Sequence, residues 1–140
     1  MNESVLFSNA SCVDEALLKD LKNLPFSSSG TRRVCLHNDE SAALHIMLVE
    51  SQKGYIFPAH RHLDGDEVTM IVDGTLEILM WDGLPADVPR RYILNAGAGA
   101  KALRVPSGRW HQTCAIDKNA TYLEVKLGPF NKKSMEFFSS

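Results

Sequence analysis

Only three cysteines, Cys12, Cys35 and Cys114, occur in the 140 residues. An odd count with no CxxC pair argues against a disulfide framework and against a cysteine-rich zinc knuckle. The thiols are expected to be reduced, with Cys35 and Cys114 serving as small apolar strand residues. No apolar run approaches the ~20 residues that a membrane-spanning helix needs. The opening MNESVLFSN lacks the basic and apolar regions of a secretory leader, so the expected location is the cytoplasm. An excess of one charge is missing as well. Fifteen basic and 17 acidic residues leave a formal net charge of −2, spread along the chain, which provides no footprint for a nucleic-acid backbone. Internal repeats and low-complexity segments are absent too.

What remains has the composition of a globular protein, because a 44% hydrophobic and 23% charged chain can bury a core without help. The length suits one domain, expected as an N-terminal helix and linker over residues 1–30 packed on a barrel over 31–140. Ser11 and Asp14 precede apolar residues at helical spacing, which predicts an amphipathic helix over 12–23 capped near Ser11. PFSSSG at 25–30 breaks the pattern. From Arg32 onward, short β-branched and apolar runs alternate with Gly, Asp, Asn and Pro about every ten residues, the texture of an all-β sandwich or barrel. Strands are predicted at 32–37, 43–50, 54–59, 66–72, 75–81, 91–95, 101–106, 110–116 and 120–127, with Asp73-Gly74 as a hairpin turn. LHIMLV and TLEILMW are apolar on both faces, so one face should meet a second sheet and the other a helix or a partner subunit. A homodimer is the expected assembly.

The segment from Gly54 to Gly74 reads GYIFPAHRHLDGDEVTMIVDG. His60 and His62, two apart on a strand, share a face and can converge on one ion. Leu63 to Asp66 would turn the chain so that Glu67 returns on the neighbouring strand, and His111 enters a further strand within PSGRWH. Three imidazoles and one carboxylate suit one divalent Fe, Mn, Ni, Cu or Zn better than Ca or Mg. The first segment resembles the cupin motif G(X)5HXH(X)4E(X)6G at every fixed position, and PSGRWH resembles the PXGXXH heart of the second cupin motif. Two positions depart from the second motif: Gly99 sits one residue early, and Ala115 stands where the family often has asparagine. The resemblance implies a cupin jelly-roll barrel with a short N-terminal helix, and His60, His62, Glu67 and His111 as metal ligands. RRVCLH at 32–37, the HRH core, WDG at 81–83 and LEVKLGPF at 123–130 also resemble the WbuC family of bacterial cupin metalloproteins. That narrower likeness implies an association with surface-polysaccharide metabolism.

Other residues admit two readings each. Arg33, Cys35 and His37 alternate and so share a face, which either lines the mouth of the cup or forms an edge facing solvent or a subunit. If it lines the cup, Arg33 is available to a carboxylate or phosphate. His45, inside ALHIMLV, reads as a hydrogen-bonded core histidine or as a contact to a bound molecule. Arg33, His37 and His45 are thus the candidate substrate contacts. Arg104, Lys126 and Glu124 interrupt apolar strands, and a surface or interface ion pair is the simplest account of them. Tyr55, Phe57, Tyr92 and Trp110 are pocket walls or core, while Asp64 and Asp66 are expected as solvated turn residues. The functional expectation is a metal-dependent enzyme, isomerase/epimerase-like or dioxygenase-like, acting on a small polar molecule such as a sugar derivative. The alternative is a non-catalytic module that uses its metal to hold or sense such a ligand.

Overall fold

The computed structural model describes residues 3–139. In chain order its elements are β1 (Val5–Phe7), α1 (Glu15–Lys22), β2 (Thr31–Cys35), β3 (Leu44–Ser51), β4 (Ile56–His62), β5 (Glu67–Asp73), β6 (Thr75–Met80), β7 (Arg90–Asn95), β8 (Ala102–Val105), β9 (His111–Ala115), β10 (Ala120–Leu127) and β11 (Met135–Phe137). They form two facing sheets, one ordered β1-β2-β3-β10-β5-β8 and the other β11-β4-β9-β6-β7. Because β4, β5 and β6 follow one another in sequence yet alternate between sheets, the architecture is an all-β jelly roll with one short helix.

This alternation corrects two expectations. Asp73-Gly74 is no hairpin turn, since β5 and β6 lie in different sheets. It is a tight crossing in which Gly74 takes φ +79°, and a Cβ there would stand 2.8 Å from the Asn119 carbonyl oxygen. Glu67, likewise, does not return beside the histidines but faces them from the opposite sheet. The helix also begins later than expected. Asp14, not Ser11, caps it, its carboxylate accepting the Leu17 N–H at 3.0 Å. The two short strands missed in sequence, β1 and β11, are edge additions of three residues each, too short to carry a periodic signal.

Residues from the inner sheet faces, among them Met47, Val49, Ile71, Leu76, Ile78 and Leu94, close the main core. On the outside of the larger sheet, Leu17 and Leu21 of α1 pack on Val34 and Leu48 in a second cluster. Strand β3 is therefore apolar on both faces for the reason its sequence suggested, with Met47 and Val49 inward and Leu48 under the helix.

Glu50, only 1% exposed, ties the helix down. Arg32 Nε donates to Glu50 Oε1 at 2.7 Å, Lys22 pairs with the other oxygen, and Arg32 Nη1 caps the helix end through the Lys22 and Leu24 carbonyls. A buried carboxylate is tolerated only when paired in this way. Glu50→Ala is expected to cost about 2 kcal/mol, because Arg32 keeps its carbonyl partners and Lys22 reaches solvent. Urea denaturation checks this, and a loss under a few tenths of a kcal/mol would show that the pair does not hold α1 in place.

Candidate metal centre

A cavity of about 320 Å³ is lined by residues of both sheets. Register sets His60 of β4 directly opposite His111 of β9. Along β4 the pairing slips by one residue between Phe57 and His60, a bulge over Pro58 and Ala59, so both Phe57 and His60 line the cavity despite their odd spacing. Pro58 is at home there because it has no N–H to leave unpaired. His62 then follows His60 on the same face.

The ligand atoms offered by His60, His62 and His111 all lie within 4.8 Å of one another, and all three residues are buried. Backbone carbonyls fix two of the rings: His60 Nδ1 donates to Pro58 O at 2.9 Å and His111 Nδ1 to Arg109 O at 3.0 Å. With the proton held on Nδ1, each neutral ring presents the Nε2 lone pair. His111 Nε2 is buried with no hydrogen-bond partner, an atom that would be costly to leave so without a ligand. From the facing sheet, Glu67 Oε2 comes within 2.9 Å of His62 Nε2. The donor set fits a divalent transition metal, and the three histidines could hold one.

The electrostatics favour the metal-ready protonation state. Burial, then the neighbouring His111, lowers the His60 pKa to about 3, and burial also lowers that of His111. Burial alone would raise Glu67, but the hydrogen bond and charge of His62 bring it below its usual value. Both histidines therefore resist protonation while the carboxyl favours its anion.

The remaining candidates fall around this group. Arg33, Cys35 and His37 all line the cavity, so their shared face is the inner one. Burial pushes the Cys35 thiol up to about 11, which makes it an inert small residue. His45, 3% exposed, donates from Nε2 to Glu40 O at 3.2 Å and stacks on His37 with ring centroids 4.0 Å apart. Phe57 is a cavity wall, whereas Trp110 is buried and Tyr92 packs on the core. Arg104 meets Asp66 at 2.8 Å on the surface, as expected. The pairing expected for Glu124 and Lys126 is overturned: both line the cavity, and no ion pair joins them among the described residues. Burial, then the charge of Glu67, holds the Glu124 carboxyl well above the usual carboxylate range. Sequence reasoning missed Tyr122, Glu124 and Lys126 as cavity residues, although their alternation on β10 marks a common face.

Residues 13–91, more than half of the chain, match a family model described as a domain of unknown function (DUF6016). No curated protein sequence matches the chain. Among solved structures, CapF bound to 3-isopropenyl-tropolone aligns with a TM-score of 0.66 and 14% identity, over 83% of this chain and 34% of CapF. Oxalate decarboxylase from Bacillus subtilis aligns with a TM-score of 0.62 and 21% identity, over 80% of this chain and 29% of the enzyme. KdgF from Halomonas sp. aligns with a TM-score of 0.57 and 18% identity, over 78% of this chain and 87% of KdgF. The chain spans about a third of the length of the first two. These are cupin-fold proteins, and the likeness shows that this fold is the cupin barrel.

Proposed function

Since the chain belongs to the DUF6016 domain family and has the cupin fold, we propose that it is a metal-dependent enzyme acting on a small polar metabolite. His60, His62, His111 and Glu67 would be the ligands. The observation that carries this reading is the unpartnered His111 Nε2 in a buried three-imidazole group that opens into a cavity. A metal held there would supply Lewis acidity, or a site for O₂, beside the bound molecule. Arg33, His37 and His45 are the proposed contacts to that molecule. The likeness of RRVCLH, WDG and LEVKLGPF to the WbuC family supports a sugar derivative of bacterial surface-polysaccharide metabolism as the substrate. The test is metal analysis of protein from its native host, followed by a screen of sugar phosphates, nucleotide sugars and 2-oxo acids with metal-loaded and metal-stripped protein. Turnover that requires the metal supports the reading, metal-dependent binding without turnover makes the protein a binding module, and failure to take up metal removes both.

A homodimer completes the proposal. On the outer face of the larger sheet, register groups Leu44, Ile46, Val68, Met70, Val125 and Leu127, and Met70 and Leu127 are 45% and 59% exposed. An apolar stripe of this kind is what a second copy would cover. Light scattering is expected to report about twice 15.5 kDa, with Met70→Glu shifting the protein towards monomer. A wild-type mass of 15.5 kDa at micromolar concentration would count against pairing.

A further inference from the structure

The cavity wall facing the histidines carries two cations that no carboxylate meets at ion-pair distance among the described residues, although the charges of both act on the buried Glu124 carboxyl. Across the inner face of the larger sheet, Lys126 stands opposite His45 and Glu67, and Glu124 stands opposite Met47 and Thr69. Arg33 reaches the same cavity from β2. Among the described residues, the Arg33 side chain hydrogen-bonds only to the Met47 sulfur, Nη1 to Sδ at 3.5 Å, and the Lys126 ammonium sits 5.8 Å from the Phe130 ring centroid with no hydrogen bond or ion pair. Glu124 has neither a hydrogen bond nor an ion pair among the described residues. Its oxygens are not among the sealed, unpartnered atoms, so they reach the cavity.

Every other arginine of the chain meets a carboxylate: Arg32 meets Glu50, Arg61 Glu136, Arg90 and Arg109 Asp82, Arg91 Glu77, and Arg104 Asp66. Arg33 is the exception, and it is the one that faces the cavity. Two half-buried cations that share one buried carboxyl and make no ion pair are unfavourable in a fold that pairs its other arginines, and an anion entering the cavity would satisfy both. At about 320 Å³ the space is at the small end for ligand pockets, which suits a small metabolite.

We propose that the cavity takes a small hydroxylated organic anion, its negative charge met by Arg33 and Lys126 and a hydroxyl hydrogen-bonded to Glu124, with its far end towards the histidines. This names the ligand class for the function proposed above and rests on that reading for the metal, but not on catalysis. A carboxylate and a phosphate share the required chemistry, and the guanidinium fork of Arg33 suits either.

Zinc-loaded protein of verified zinc content, titrated calorimetrically with D-gluconate, sorbitol 6-phosphate and sorbitol, tests it, because the three differ mainly in the charged group. At least one anion is expected to bind at least 10-fold more tightly than sorbitol. Arg33→Gln and Lys126→Gln should each erase most of that preference with zinc content unchanged. Binding of gluconate alone identifies a carboxylate ligand, and binding of the phosphate alone a phosphate ester. Sorbitol binding as well as the anions, no anion binding, or a preference that survives both substitutions would overturn the proposal, the last by showing that the metal alone holds the anion. Loss of zinc from wild-type protein would strike the metal reading instead, and is read separately.

Discussion

Replacing His111 by alanine is expected to lower the affinity for zinc at least about 100-fold while leaving the β-sheet circular dichroism spectrum in place. The ring is 1% exposed and held by Arg109 O, so its Nε2 is aimed before any ion arrives. Its centroid lies 4.1 Å from that of His60 and 5.6 Å from that of His62, which makes it the corner that closes the group. Loss of an oriented ligand removes a bond whose ordering cost the fold has already met. The ring packs in a cavity wall rather than in the main cluster between the sheets, so the fold should tolerate its loss. His45→Ala is the control: its Nε2 is engaged by Glu40 O and it stands outside the triad, so metal content should persist. Elemental analysis and competition with a chelator measure both variants. Unchanged stoichiometry and affinity in His111→Ala would sink the ligand assignment.

Metal binding should also survive acid better than three ordinary imidazoles would allow. Free histidine titrates near ~6.5, so three such ligands would release about two protons on binding zinc at pH 6 and would lose the ion through that range. The His60 pKa is lowered to about 3, and that of His111 is lowered too, chiefly by burial. The sign follows from which form the fold favours. A lowered imidazole pKa means that the neutral, ligating form persists as acid is added, so protons compete for these two residues only below the ordinary imidazole range. Fewer than two protons per zinc are therefore expected at pH 6, measured by calorimetry in two buffers of different ionisation enthalpy. Release of two or more would mean that the rings are not held neutral by burial.

The residue types proposed to bind a metal were legible because each sits in its own short motif. His60 and His62 are two apart on one strand, and Glu67 and His111 sit beside glycine and proline positions that fix turns. Most strands were legible too, since each carries its own period: β10 spans Ala120–Leu127, as expected. Where a feature depends on its partner, the same reading failed. Glu124 and Lys126 look like an ordinary ion pair on one strand, yet both turn into a cavity walled by strands of both sheets. The bulge after Phe57 is equally invisible, because a register slip is a property of two strands and not of one.

The sequence by itself thus determined the β texture, the presence of one short N-terminal helix and the residue types able to bind a metal, all of which follow from patterns among near neighbours in the chain. Only the tertiary structure decided that Glu67 approaches from the opposite sheet, that Asp73-Gly74 crosses between sheets rather than closing a hairpin, and that Arg33, alone among the arginines, makes no ion pair with a carboxylate of the described residues. Those outcomes depend on which strands pair and which face turns inward. That choice is made by burying Met47, Val49, Ile71 and Leu76 together from distant parts of the chain, a global balance of apolar burial that no short segment encodes.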